Sequence, residues 1–310
     1  MDNDKKKLMN MHRNGTCSSW LGMNTVAPAP PQRKTSGSTC VANAVEEPEN
    51  SHISLFQAAR DGRLDIVKNE LANSKPELVN MKDNENSTAL HYAVRLNKIE
   101  VVKCLIDEGA DPNIPGEDGA TPMHYAARYR PLTVLKQRRF IQSTADVHAE
   151  KATIENAEPT GNLRTSESIL SCLLQIPNAK VNSQDNYGST PLHYAAAKGN
   201  PRSVEEMIKS GRVDVNAKDK QKATPLHEAC IQGNPKVARI LIKAGAELQA
   251  RDVAKMTPLH YAAMDERVDC VKVVVEAAEK QGGTALVEQI IAEVDRNRQT
   301  ALHIALEASA

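Results

Sequence analysis

Aromatic residues are scarce in this sequence. Two phenylalanines and one tryptophan serve 310 residues. Any core must therefore be assembled from Ala, Val, Leu and Ile, which suits thin layers of small helices better than one large globular centre. An excess of charge is missing too. Lys plus Arg and Asp plus Glu each number 39, so there is no global pull toward nucleic acid or anionic lipid. No run approaches ~18 consecutive apolar residues, so no segment reads as a membrane-spanning helix. Lys5-Lys6-Lys7 has no apolar stretch behind it, which argues against a secretory leader, and Asp2 and Asp4 argue against a mitochondrial one. The cysteines (Cys17, Cys40, Cys104, Cys172, Cys230 and Cys270) form no C-x-x-C pair. Free thiols in a reducing, cytoplasmic setting are expected. Nucleotide loops, nucleophile elbows and paired catalytic carboxylate motifs are absent as well. His227-Glu228 opens like a zinc-protease helix, but the place of the second His is taken by Ile231. The expectation is a non-enzyme with no catalytic residue, cofactor or metal site.

Residues 1–50 carry Ser, Thr, Asn, Lys and Pro with almost no apolar periodicity. Such a segment cannot offset the entropy of ordering, and a disordered tail is expected there. The run Ala27-Pro28-Ala29-Pro30-Pro31 reads as a spacer, or as a polyproline ligand for an aromatic groove.

From about residue 51 the chain repeats itself. Thr-Pro-Leu-His-x-Ala stands at Thr190–Ala195, Thr224–Ala229 and Thr257–Ala262, and Thr121–Ala126 differs only by Met123. Thr88-Ala89-Leu90-His91 and Thr300-Ala301-Leu302-His303 replace the Pro, and Leu55-Phe56-Gln57-Ala58-Ala59 is a degenerate opening copy. His91 and His124 are 33 residues apart, as are His227 and His260, while His193 and His227 are 34 apart. This motif at this period resembles the ankyrin repeat over roughly residues 51–310. The resemblance implies an all-α solenoid of about seven repeats, each a hairpin-like turn followed by two antiparallel helices. Thr is expected as N-cap, Pro at the first helical position, and Gly109 and Gly245 at the ends of second helices. The histidines, one per repeat, form a column and not a cage, so a hydrogen-bonding role is expected for them. Tyr92, Tyr125, Tyr194 and Tyr261 form a second column, expected to pack between layers.

Two intervals break the period. His124 to His193 spans 69 residues and His260 to His303 spans 43. The first reads as one repeat carrying a polar insertion near 131–165, with Ser168–Leu174 as its second helix; a hidden degenerate repeat is the alternative. The second excess, near Gly282-Gly283, is expected to lengthen an outer helix. The last repeat shows only a first helix, without the polar outer face of a capping repeat, which suggests a piece of a longer protein.

In ankyrin repeats, recognition uses the hairpin tip and the end of the first helix. Carried onto this sequence, those positions are Glu85, Arg95 and Leu96, then Glu117, Asp118, Arg128 and Tyr129. They continue with Asn186, Tyr187 and Lys198, then Lys220, Gln221, Ile231 and Gln232, and finally Val253, Met264 and Asp265. Charged groups with apolar ones toward the C-terminus suit a protein partner or another segment of the parent protein. Arg128, Arg130, Lys136, Arg138 and Arg139 form a basic cluster at the start of the insertion, read as a solvated loop without the interleaved aromatics of a nucleic-acid site. The opening run Leu55–Gly62, with Val79–Asp83 and Leu90–Val94, is similar to the cytosolic N-terminus of ankyrin-type transient receptor potential (TRPA) cation channels. That resemblance implies the alternative of a regulatory arm at the cytosolic face of a membrane, within an ion channel used in sensory signalling.

Overall fold

The computed structural model describes residues 54–73, 76–128 and 168–308. The tail expected over 1–50, the insertion expected near 131–165 and the candidate Tyr129 lie outside the described residues. Among the described residues every regular element is helical and there is no strand. One row of helices comprises α1 (Leu55–Asp61), α3 (Ala89–Arg95), α5 (Pro122–Arg128), α7 (Pro191–Lys198), α9 (Pro225–Ile231), α11 (Pro258–Met264) and α13 (Ala301–Ala308). The other comprises α2 (Leu64–Asn73), α4 (Ile99–Asp107), α6 (Ile169–Gln175), α8 (Pro201–Lys209), α10 (Pro235–Lys243) and α12 (Val268–Ala292). Each helix packs against its successor in the same row, inner on inner and outer on outer. Helix α5 lies directly on α7, and α6 occupies the outer row between α4 and α8.

Helices of seven to nine residues are too short to stand alone in water. They persist here because they pack against their neighbours in the stack, and each inner-row helix opens on a Ser or Thr cap. Pro191, Pro225 and Pro258 open α7, α9 and α11, where a missing N–H costs nothing. Leu90, Leu192 and Leu226 are fully buried between inner helices, and Leu105 and Leu241 hold the outer row. Ala58, Ala93, Ala195, Ala229 and Ala262, also fully buried, keep the layers thin. This is how a chain with two phenylalanines builds a continuous core. Gly109 and Gly245 end α4 and α10 in the left-handed region at φ 88° and 93°.

The ten-residue excess before His303 falls in α12, but not as one straight rod. The 25-residue element is interrupted at Gly283, whose φ of 65° and ψ of −160° no residue with a side chain adopts readily. The excess therefore becomes a bent pair of helical segments.

Two further devices tie the outer ends together. Asn80, Asn113, Asn182 and Asn216 each bridge to the following repeat. Their Nδ2 groups donate to the carbonyls of Gly109, Asn178, Arg212 and Gly245 at 2.9–3.2 Å. Their Oδ1 atoms accept the amides of Asp111, Lys180, Asp214 and Glu247 at 2.7–2.9 Å. At the end of α6, the Arg212 guanidinium gathers the carbonyls of Leu174, Ile176, Pro177 and Ala179. It satisfies backbone acceptors that the helix leaves open.

Candidate functional site

The face where recognition is expected is framed by the motif residues. In each of six repeats the imidazole sits three residues after the Thr cap. His91 Nδ1 accepts the Thr88 amide at 3.1 Å and lies 2.8 Å from its hydroxyl. An amide can only donate, so Nδ1 is the acceptor and the ring proton is on Nε2. Nε2 then donates across the repeat boundary, to the carbonyl of Ala120 at 3.2 Å. The bond recurs from His124 to Ser189, His193 to Ala223, His227 to Met256 and His260 to Gln299, at 3.0–3.3 Å. With Thr this makes a reciprocal capping box in which His replaces the usual Glu or Gln. Burial holds the His91 and His193 imidazoles at about 4, so they stay neutral near pH 7. Each ring spends both nitrogens on the scaffold, which removes it from any ligand.

The tyrosine column serves the turns. Tyr92, Tyr194 and Tyr261 donate their hydroxyls to Oδ2 of Asp83, Asp185 and Asp252 at 2.5–2.8 Å. The other oxygen of each aspartate takes amides of its own turn: those of Glu85 and Ser87, of Tyr187 and Ser189, and of Met256. At four junctions the tips themselves are also joined by one backbone bond. Asn186 N–H donates to Asp118, Lys220 to Tyr187, Val253 to Gln221 and Arg296 to Ala254, at 2.8–3.0 Å. Gly188 is required at such a junction. A Cβ there would come within 2.7 Å of the Lys220 nitrogen, and its φ is +79°.

This frame places the candidate residues in two rows. The tip row holds Glu117, Asp118, Tyr187, Lys220, Gln221 and Val253. The backbones of the last five are committed to the ladder, leaving their side chains to face outward or along it. Glu117 and Lys220 are exposed, and Asp118, Tyr187, Gln221 and Val253 half-buried. The helix-end row is formed by the last residues of α3, α5, α7, α9 and α11: Arg95, Arg128, Lys198, Ile231 and Met264. Arg95 is exposed and Arg128 and Lys198 are half-buried. Beside them Leu96 is an exposed large apolar residue and Gln232 is half-buried.

Ile231 and Met264 are less free than their sequence positions suggest. Both pack against a satellite cluster of Ala254, Met256, Tyr261 and Ile304. They support the C-terminal end of the stack as well as lining its inner face. Arg60, at the place in α1 that Arg95 takes in α3, belongs to the same row. Its guanidinium lies 4.5 Å from the centre of the Tyr92 ring. The degenerate opening motif hid it; aligning Ala58-Ala59-Arg60 with Ala93-Val94-Arg95 exposes it. The row thus runs Arg60, Arg95, Arg128 and Lys198, then Ile231 and Met264: cationic over four repeats, apolar over two.

A family model for ankyrin repeats in three copies matches residues 55–149 and 162–252, and a single ankyrin repeat matches 255–292. The chain belongs to the ankyrin-repeat family. Ankyrin repeats are protein-interaction modules, and the frame just described is theirs. A transient receptor potential cation channel subfamily A member 1 homolog of Caenorhabditis elegans is 30% identical over 158 residues, 51% of this chain and 12% of that protein. The human neurogenic locus notch homolog protein 1 is 25% identical over 205 residues, 62% of this chain and 8% of the relative. The chain thus spans about a tenth of the length of these relatives. An ankyrin repeat domain from Acinetobacter baumannii, solved as a crystal structure, superposes with a TM-score of 0.53 at 26% identity, covering 72% of this chain and 96% of that one. Among the described residues no helix is long and apolar enough to cross a membrane.

Proposed function

We propose that this ankyrin array is a non-catalytic scaffold that holds a protein segment along its inner face, in the cytosol. The helix-end row carries the reading. Its side chains change character once along the stack. Arg60, Arg95, Arg128 and Lys198 suit acidic side chains on a partner, and Ile231 with Met264 suits an apolar anchor. The partner is a separate protein or another segment of the parent molecule. It lies with its acidic part toward the N-terminal repeats and its apolar part over repeats five and six.

The test is binding kinetics with a captured segment and three variants. Arg95→Glu and Lys220→Glu change exposed charges, so they should slow association and flatten its salt dependence. Ile231→Ala should mainly speed dissociation. Because Ile231 packs on the satellite cluster, its variant is first checked for folding by circular dichroism. If all three bind like the parent while deletion of 131–165 abolishes capture, the insertion is the binding element and the inner face is not.

A second reading places this scaffold as the cytosolic regulatory arm of a TRPA-type cation channel. The identity with the Caenorhabditis elegans channel homolog favours it. Six apolar helices encoded downstream in the native transcript would support it, and a stop codon shortly after Ala310 would exclude it.

A further inference from the structure

The tyrosine bond is missing where Tyr125 faces Gly116 and where Ile304 faces Asp295, but only the fifth repeat puts a second buried carboxyl in the place of the tyrosine. Tyr92, Tyr194 and Tyr261 each reach an aspartate nine residues earlier. In the fifth repeat the same two places hold Asp219 and Glu228. Glu228 is 1% exposed and Asp219 6% exposed. Asp219 Oδ1 accepts the amides of Gln221 and Ala223 at 2.8 Å, as in the sister turns. Its Oδ2, which a tyrosine hydroxyl would meet elsewhere, has no hydrogen-bond partner, and neither has Glu228 Oε2. Two ionised carboxylates are acceptors only, so neither can satisfy the other. A carboxylic acid, in contrast, carries the donor that the missing tyrosine would have supplied.

We propose that Glu228 is kept as the neutral acid beside Asp219, and that loss of its buried proton loosens the array at the fifth repeat. Burial, and then the charge of Asp219, pushes the Glu228 carboxyl up to about 8. Burial also raises Asp219 to about 6, with Asp185 and Asp252 of the flanking turns adding to it. The elements packed on α9 offer no compensating charge. From α7 and α11 come His193 and His260, both neutral, and Tyr194 and Tyr261, both committed to aspartates. Lys198 ends α7 at the inner face, and Lys236, Arg239 and Lys243 of α10 are exposed on the outer surface.

The sign follows from linkage. The folded state keeps a proton that the unfolded chain releases near its ordinary value of 4.5. The contribution of the pair is therefore intact below about pH 4.5 and is lost as the pH rises through about 8. Lys220 and Gln221 extend from the turn of Asp219, and Ile231 ends the helix of Glu228, so the loosening falls beside the inner-face residues of this repeat.

Thermal unfolding of the full chain, followed by circular dichroism between pH 5 and 8.5, tests this with Glu228→Gln and Glu228→Tyr. Gln keeps a donor at every pH, and Tyr restores the bond of the sister repeats. The Tm of the parent should fall relative to both variants by roughly 5 °C or more as the pH rises. Histidine contributions are common to all three and cancel. Parallel curves overturn the proposal. A second measurement needs no folded variant: carbon-13 NMR of the parent labelled at glutamate Cδ. One glutamate should remain protonated at pH 6.5, and a fully ionised set at that pH overturns the proposal by itself.

Discussion

Replacing His193 with Ala probes the column that unites the repeats. The ring is fully buried and makes three contacts: the Thr190 amide at 3.1 Å, the Thr190 hydroxyl at 2.9 Å and the Ala223 carbonyl at 3.1 Å. The Ala223 carbonyl also accepts the Asp219 amide at 3.0 Å, so it keeps a partner. The two Thr190 donors do not. An orphaned buried donor costs about 1–3 kcal/mol, so the pair costs about 2–6 kcal/mol before the cavity is counted. His303 provides the control. It makes the same contacts to Thr300, at 3.3 and 2.7 Å, but is exposed, so water can replace the ring. Guanidinium denaturation at pH 7.5, where the His193 imidazole is neutral, should show a large loss of stability for His193→Ala and no measurable change for His303→Ala. Equal losses in the two variants would show that the cross-repeat bond and burial are not what the imidazole contributes.

Two smaller effects follow from the same frame. Arg212→Ala takes a donor from four carbonyls at the end of α6, of which Ile176 keeps the Ala179 amide, and should lower stability by about 1 kcal/mol, modest because Arg212 is exposed; a denaturation midpoint equal to the parent's would contradict it. Gly199→Ala forces a Cβ within 2.2 Å of Asn234 Oδ1 at a φ of +62° and should cost about 1–3 kcal/mol. A double-mutant cycle with Asn234→Ala should recover part of that loss, and strict additivity would refute the clash.

What could be seen in the sequence is what recurs. The Thr cap, the proline, the histidine and the buried alanines occur at one period, so their common role shows through in any copy. The asparagine ladder recurs too, at Asn80, Asn113, Asn182 and Asn216. It went unread because polar residues near a helix end look like ordinary turn formers until their partners, 29 to 67 residues away, are in place. Singular contacts were hidden for a stronger reason. Arg212 has no counterpart in other repeats, and the Glu228–Asp219 pair matters only because both side chains are buried, which spacing does not reveal. The break at Gly283 depends on a backbone angle. The packing of Ile231 and Met264 is likewise not visible in their spacing, because the last inner helix supplies Ile304 to a cluster they join.

The histidine bonds all point the same way, from one repeat to the turn of the next, and this gives the chain a direction in time. A ribosome delivers the N-terminus first, so each imidazole must wait for an acceptor not yet made. The wait is 29 residues for His91, 30 for His193 and 29 for His227. It is 65 for His124, because the interrupted repeat must pass before Ser189 appears. At ordinary rates of synthesis, about 5–20 residues per second, the second clamp closes some seconds later than its neighbours. During that interval the inner face of the nascent array is not yet continuous.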